Sequence, residues 1–153
     1  MKSNHALLIS IRPKFVELIF EGFKTVELRR VRPRLQAGDS VVVYASGSTM
    51  AIVGGFEVEG VTEATPKYIW QKYNGGSGLQ KDEFNSYFDG KTTGYAIQIG
   101  KRWKLSCPIS LQTLRQLHAG FRPPQSYHYW KLDELLRNHQ PFKVNSDIQL
   151  TCP

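Results

Sequence analysis

Two cysteines, Cys107 and Cys152, are all that 153 residues contain, too few for a disulfide framework and without the second pair a zinc site needs. The four histidines (His5, His118, His128, His139) are scattered, with no H-x-x-x-H or C-x-x-C spacing, so no metal is expected. No apolar run approaches the ~18 residues of a membrane span. Lys2 is followed by no long apolar segment, which argues against a secretory signal. A G-x-S-x-G elbow, a P-loop and a paired His and Asp are all missing, which removes the common nucleophile and nucleotide motifs. There is no internal repeat and no low-complexity tract. These absences predict a soluble, cytoplasmic protein that needs no cofactor.

Basic charge, by contrast, is plentiful. Lys plus Arg number 20 against 13 Asp plus Glu, a formal net charge of +7. That balance suits a polyanionic partner, because phosphate contacts release counterions, although solubility alone also accounts for it. With 41% hydrophobic and 22% charged residues the chain is globular rather than disordered, and its length fits one domain over residues 1–153.

In chain order, His5–Ile11 is a nearly continuous apolar run suited to a buried strand. Pro13 opens a helix to Glu21, with Lys14, Glu17 and Glu21 on the wet side, and Gly22 stands just past its end. After a loop over Pro33–Asp39, Val41–Ala45 and Ala51–Val61 read as strands, the second interrupted by Gly54-Gly55, a bulge or bend of the kind barrel closure requires. Thr65-Pro66 starts a helix through Tyr73, and Asp82–Phe88 forms a second. Between them Asn74–Gly78 reads as a flexible loop and a candidate lid. Gly94–Ile99 and Arg102–Ile109 are predicted strands joined by a Gly100-Lys101 hairpin, and Ser110 caps a helix over Leu111–Leu117. A Pro-rich loop over Phe121–Tyr129 precedes a helix Trp130–Asn138 and a polar tail.

The densest polar constellation is Gly22-Phe-Lys24-Thr25-Val-Glu27-Leu-Arg29-Arg30, continuing to Arg32 and Arg34. Period two puts Thr25, Glu27, Arg29 and Val31 on one side of a strand and Val26 and Leu28 on the other, toward a core. Lys24 is a nucleophile or base if burial lowers its pKa, a phosphate anchor if it stays charged, or simply a surface lysine. Glu27 and Arg29 make an ion pair worth ~0–1 kcal/mol if exposed. The run Arg29, Arg30, Arg32, Arg34, with Tyr44 on the next strand, suits backbone phosphates and one stacked base; its plainer reading is a solvated edge. Gln125, Ser126 and Tyr127 offer an amide, a hydroxyl and a ring to a base, or else plug one end of a barrel. Glu57 and Glu59 supply an acid or base, or only solubility.

Gly22-x-Lys24-x-x-Glu27-x-Arg29 matches the GxKxxExR signature and resembles the ASCH domain, a small β-barrel similar to the PUA fold. The preceding strand and helix, the Gly38-Asp39 turn and the segment Pro123–Tyr127 fit the same family, so the resemblance covers roughly residues 5 to 130. It implies an α+β fold, a PUA-like mixed β-barrel of about six strands surrounded by short helices. It also implies RNA-binding or transcription-related work, and some similar proteins hydrolyse RNA or N4-acetylcytidine. In the amidohydrolase type the resemblance implies a Lys, a Thr and a Glu. Lys24 matches, but Glu27 stands at the Thr position, with Thr25 nearby. The candidate catalytic residues are thus Lys24, Glu27 and Thr25. The candidate RNA contacts are Arg29, Arg30, Arg32, Tyr44, Ser46, Gln125, Ser126 and Tyr127. Three readings remain open: single-stranded RNA binding with or without ribonuclease activity, hydrolysis of a modified nucleoside, and a non-catalytic regulator that binds a protein. The basic run favours the first.

Overall fold

The computed structural model describes residues 5–136 and 141–143. Strand β1 (His5–Ile11) leads into helix α1 (Pro13–Glu21) and a short strand β2 (Val26–Arg29). Strands β3 (Ser40–Ala45) and β4 (Ala51–Ala64) follow, then helices α2 (Pro66–Tyr73) and α3 (Lys81–Tyr87). The long strand β5 (Gly94–Ser110), helix α4 (Leu111–Leu117), strand β6 (Tyr127–Lys131), helix α5 (Leu132–Leu136) and strand β7 (Pro141–Lys143) complete the order.

All strands join one mixed sheet in the order β2-β5-β4-β3-β1-β6, with β7 alongside β5. Among the described residues only β1 and β3 pair in parallel, which the intervening α1 permits by carrying the chain back across the sheet. No ladder joins β2 to β6 among the described residues, so the sheet is open where the sequence predicts a closed barrel. The α+β class holds.

Period-two burial splits the core. Leu7, Ile9, Val41, Val43 and Phe56 pack under Val16 and Ile19 of α1. From the opposite faces of the same strands, Leu8, Val42, Tyr44 and Ile52 pack with Leu114 of α4 and Leu135 and Leu136 of α5. A third cluster puts Val26 and Leu28 of β2 against Ile69 of α2, Phe84 of α3 and Phe88 just past its end. The inward set expected for β2 is therefore the one observed.

Three expectations change. Gly100-Lys101 makes no hairpin: β5 runs through it unbroken, and a Cβ on Gly100 would lie 2.7 Å from the Glu57 carbonyl oxygen, so close strand approach is what requires glycine there. The segment expected as loop to Tyr129 instead pairs with β1 as β6, because Tyr127, Tyr129 and Trp130 are strand-forming aromatics with an unpaired edge beside them. The helix expected over Trp130–Asn138 is α5, starting at Leu132; of the polar tail expected after it, Pro141–Lys143 is the strand β7, and residues 137–140 and 144–153, Cys152 among them, lie outside the described residues.

Candidate functional site

The cleft lies where the two ends of the open sheet approach each other. It encloses about 710 Å³ between Ser10 and Ile11 of β1, Phe15 of α1, Leu28 and Arg29 of β2, and Glu83, Ser86 and Tyr87 of α3. Lys24 and Glu27 form its floor, and Arg12, Lys14 and Arg30 its rim. Five cations against two carboxylates leave the cavity positive. One of those carboxylates, Glu83, lies 3.7 Å from Lys14.

Local chain geometry puts Lys24 there. Gly22, at φ 88°, ends α1 in the left-handed conformation, and its N–H donates to the Ile19 carbonyl. The Lys24 N–H then returns to the Leu18 carbonyl at 2.9 Å, tucking the residue beneath the helix end. Arg102 of β5 reinforces the turn. Its Nε donates to the Ile19 carbonyl at 2.6 Å and its Nη2 to the Lys24 carbonyl at 3.1 Å. A cation at the negative end of the helix is also favourable on dipole grounds. Arg102→Met should cost about 1–2 kcal/mol, because two carbonyls lose a charged donor; an unchanged denaturation midpoint would show that solvent substitutes for the guanidinium.

The loop at Asn74–Gly78 is part of this support rather than a lid. The Gly76 carbonyl accepts from the N–H groups of Thr25 and Val26, at 2.8 and 3.2 Å. Ser77 is buried, and its carbonyl accepts from Lys24 Nζ at 2.5 Å. Glycine richness here allows the backbone to approach β2 closely: a Cβ on Gly76 would sit 2.0 Å from Thr25 Oγ1.

Lys24, 3% exposed, and Glu27, 8% exposed, make a buried pair, with Nζ 3.3 Å from Oε2. On the other side Arg29 Nη2 donates to Glu27 Oε1 at 2.7 Å. Burial pushes the Glu27 carboxyl up, but Lys24 and Arg29 outweigh it and hold it below the ordinary glutamate range. Glu27 is therefore an anion clamped between two cations, ill suited to take a proton and well suited to orient its neighbours. Lys24 Nζ also lies 5.5 Å from the Phe15 ring centroid. Among the described residues its ammonium meets two acceptors, the Ser77 carbonyl and the Glu27 carboxylate. Tyr87 donates to the Leu28 carbonyl at 3.1 Å; burial pushes its phenol up, with Arg29 opposing, so it stays a hydroxyl at neutral pH.

The other expected site residues are distributed unevenly. Arg29 and Arg30 line the cleft, and Ser126 stands beside it, its Oγ 3.4 Å from Arg29 Nη1. Tyr127 is half-buried against the core under α1, and its hydroxyl donates to the Arg32 carbonyl at 3.4 Å. Gln125 is exposed and outside the cleft lining. Ser46 is tied to the Ile11 carbonyl through both its N–H and its hydroxyl. Arg32 faces away from the cleft and pairs with Glu63.

Two expected roles are corrected. Tyr44, offered as a stacking platform, is 2% exposed in the core beside α4, so its ring is closed to a base. Thr25 faces the Gly76 backbone rather than the cleft. Sequence reasoning missed Phe15, Tyr87, Ser77 and Arg102. Helix periodicity exposes the first two as members of apolar faces, but nothing in it says that those faces meet at Lys24. Among the described residues no group of three His, Cys, Asp or Glu side chains could hold a metal ion, and no helix is long and apolar enough to cross a membrane.

Known proteins are similar to this chain in sequence or in fold. The ASCH domain model matches residues 9–105. An ASCH domain-containing ribonuclease of Zymomonas mobilis is 28% identical over 127 residues, 83% of this chain and 85% of the relative. Large ribosomal subunit protein uL22 of Ureaplasma parvum is 26% identical over 137 residues, 85% of this chain but 40% of the relative. The crystal structure of ASCH from Zymomonas mobilis superposes with a TM-score of 0.82 at 25% identity, covering 90% of this chain and 98% of that one.

Proposed function

The chain belongs to the ASCH domain family, and from that premise we propose that it binds single-stranded RNA in the basic cleft and cleaves it there. The observation that carries the reading is the cleft itself: five cations, a clamped carboxylate and two aromatic rings, Phe15 and Tyr87, around a space of nucleotide size. Cations of this kind hold phosphates, and aromatic faces stack unpaired bases without regard to their identity. The ribonuclease name of the Zymomonas relative supports the same substrate.

Cleavage in such a cleft proceeds by charge stabilisation. The ribose 2′-oxygen bonds to the adjacent phosphorus as the bond from phosphorus to the 5′-oxygen breaks. The proton leaving the 2′-hydroxyl passes to water, and the departing 5′-oxygen takes one from water. Lys24, Arg29 and Arg30 hold the extra negative charge that develops on the phosphoryl oxygens, while Glu27 fixes the first two in place. The nucleoside amidohydrolase reading needs a threonine in the cleft, and Thr25 faces elsewhere.

The test is a gel assay with labelled single-stranded RNA, read for shift and cleavage together across a salt series. Affinity should fall steeply with salt, and Arg12→Ala with Arg30→Ala should reduce the log–log slope by about one unit per lost phosphate contact. Binding that is absent, or indifferent to salt, would end the RNA reading. A salt-dependent shift without cleavage would reduce the protein to a binding module.

A further inference from the structure

A second groove of about 690 Å³ opens beside the cleft, lined by His5, Arg32, Arg34, Asp39 and Tyr129 among others. The two are not independent features. One segment serves both: Arg29 and Arg30 line the first cavity, and Arg32 through Gln36 the second. Four residues, from Arg30 to Arg34, span at most about 14 Å, a few nucleotides of an extended strand. The ground between them is bridged by polar contacts, Arg29 to Ser126 and Tyr127 to the Arg32 carbonyl.

The groove has the two components that single-strand sites use. Tyr129 is 43% exposed, packs edge-on against Tyr127 with centroids 5.8 Å apart, and has its hydroxyl fixed by the Arg34 N–H at 2.7 Å. Its ring is thus held in place and open to solvent. Arg34 is exposed and has no ion pair among the described residues, whereas Arg32 has its charge answered by Glu63. A held aromatic face beside an unanswered guanidinium suits one base and one phosphate.

We propose that this groove is a second RNA subsite, taking the strand that flanks the nucleotides in the cleft, so that the substrate is an oligonucleotide rather than a mononucleotide or dinucleotide. The proposal rests on the RNA reading of the cleft. Within it the groove contributes affinity and no chemistry: Tyr129 stacks one base and Arg34 meets one phosphate.

The experiment measures fluorescence anisotropy with a labelled dinucleotide and a labelled octanucleotide of uridine, on the parent chain and on Tyr129→Ala, Tyr129→Phe, Arg34→Ala and Arg30→Ala. The octanucleotide should bind more tightly than the dinucleotide, and Tyr129→Ala should weaken it by about tenfold, while dinucleotide binding stays within about twofold. Tyr129→Phe keeps the ring and should behave as the parent, which separates stacking from any loosening caused by the lost bond to Arg34. Arg34→Ala should lower the salt slope of octanucleotide binding by about one unit. An octanucleotide that binds no better than the dinucleotide, or that ignores Tyr129→Ala and Arg34→Ala while Arg30→Ala weakens it, overturns the second subsite and leaves the cleft standing. Binding sensitive to Arg34 and Tyr129 but indifferent to Arg30 keeps the groove and removes the cleft as the RNA site.

Discussion

Glu27→Ala is expected to destabilise the fold by about 3–5 kcal/mol, the cost of removing one member of a buried charge cluster. Glu27 touches Lys24 at 3.3 Å and Arg29 at 2.7 Å, and all three side chains are nearly shielded from water. Deleting the carboxylate leaves two cations facing each other across a cavity, with too little solvent to screen them. Glu27→Gln keeps the shape but not the charge and should cost nearly as much. The same cluster sets an acid limit. The folded-state carboxyl titrates below its unfolded value, so between the two the unfolded chain binds more protons than the native one. The stability Glu27 contributes is therefore complete above the ordinary glutamate range and is lost as pH falls through the depressed folded value. Urea denaturation of parent and Glu27→Gln across the acid range measures this directly. The parent's stability should decline toward low pH while the variant's curve is flatter, and the two should converge once Glu27 is protonated. Parallel curves, or a loss under about 1 kcal/mol at neutral pH, would mean that solvent reaches the cluster and that its rigidity does not prepare the cleft.

How far this site could be read from the chain depends on which interactions are local. Lys24, Glu27 and Arg29 were legible because a helix, a glycine cap and a strand stand consecutively, and their alternation is a short-range property. Their burial was not. An exposed pair of negligible worth and a buried triad have the same sequence, and what decides between them is the loop at Gly76 and Ser77 arriving from beyond α2. Glycines there looked like freedom because composition cannot distinguish a loop that moves from one that must pass close to another backbone. Arg102 was invisible for a similar reason. It sits 78 positions from Lys24, and only the pairing of β5 beside β2 brings it to the end of α1. Tyr44 failed in the opposite direction. Period two assigns it a face but not which face meets solvent, and both faces of its strand are covered. The open seam between β2 and β6 was likewise beyond local pattern, since closure depends on strand tilt and stagger summed around the sheet.

Gly54→Ala and Gly55→Ala should each destabilise by about 3 kcal/mol or more, and the valine variants should be no easier to fold. Neither glycine has a positive φ, so backbone freedom is not what selects them. A first side-chain carbon is what the site cannot hold. On Gly54 it would lie 2.2 Å from the Trp103 carbonyl oxygen, and on Gly55 2.1 Å from the Val41 carbonyl oxygen and 2.5 Å from the Trp103 ring. The two shortest contacts are to carbonyl oxygens of β5 and β3 on either side of β4, so relief requires strands to separate, and turning the Trp103 ring would not provide it. The register of β4 against β5 shifts between Ile52 and Gly54, which draws the neighbouring backbone over these positions. A glycine at an ordinary φ with room for a side chain would gain about 0.4–1 kcal/mol on replacement by alanine, because the unfolded chain loses conformational freedom. Close approach predicts instead that most of the loss is already present in alanine. Gly75→Ala is the matched control, exposed and with nothing within 4 Å of its added carbon, and should change stability by less than about 0.5 kcal/mol. Thermal melts of the five variants decide between the two accounts. Alanine variants that melt with the parent would mean that the strands have room to part, and that the tight β3-β4-β5 contact is not what holds β5, and Arg102 on it, in place behind Lys24.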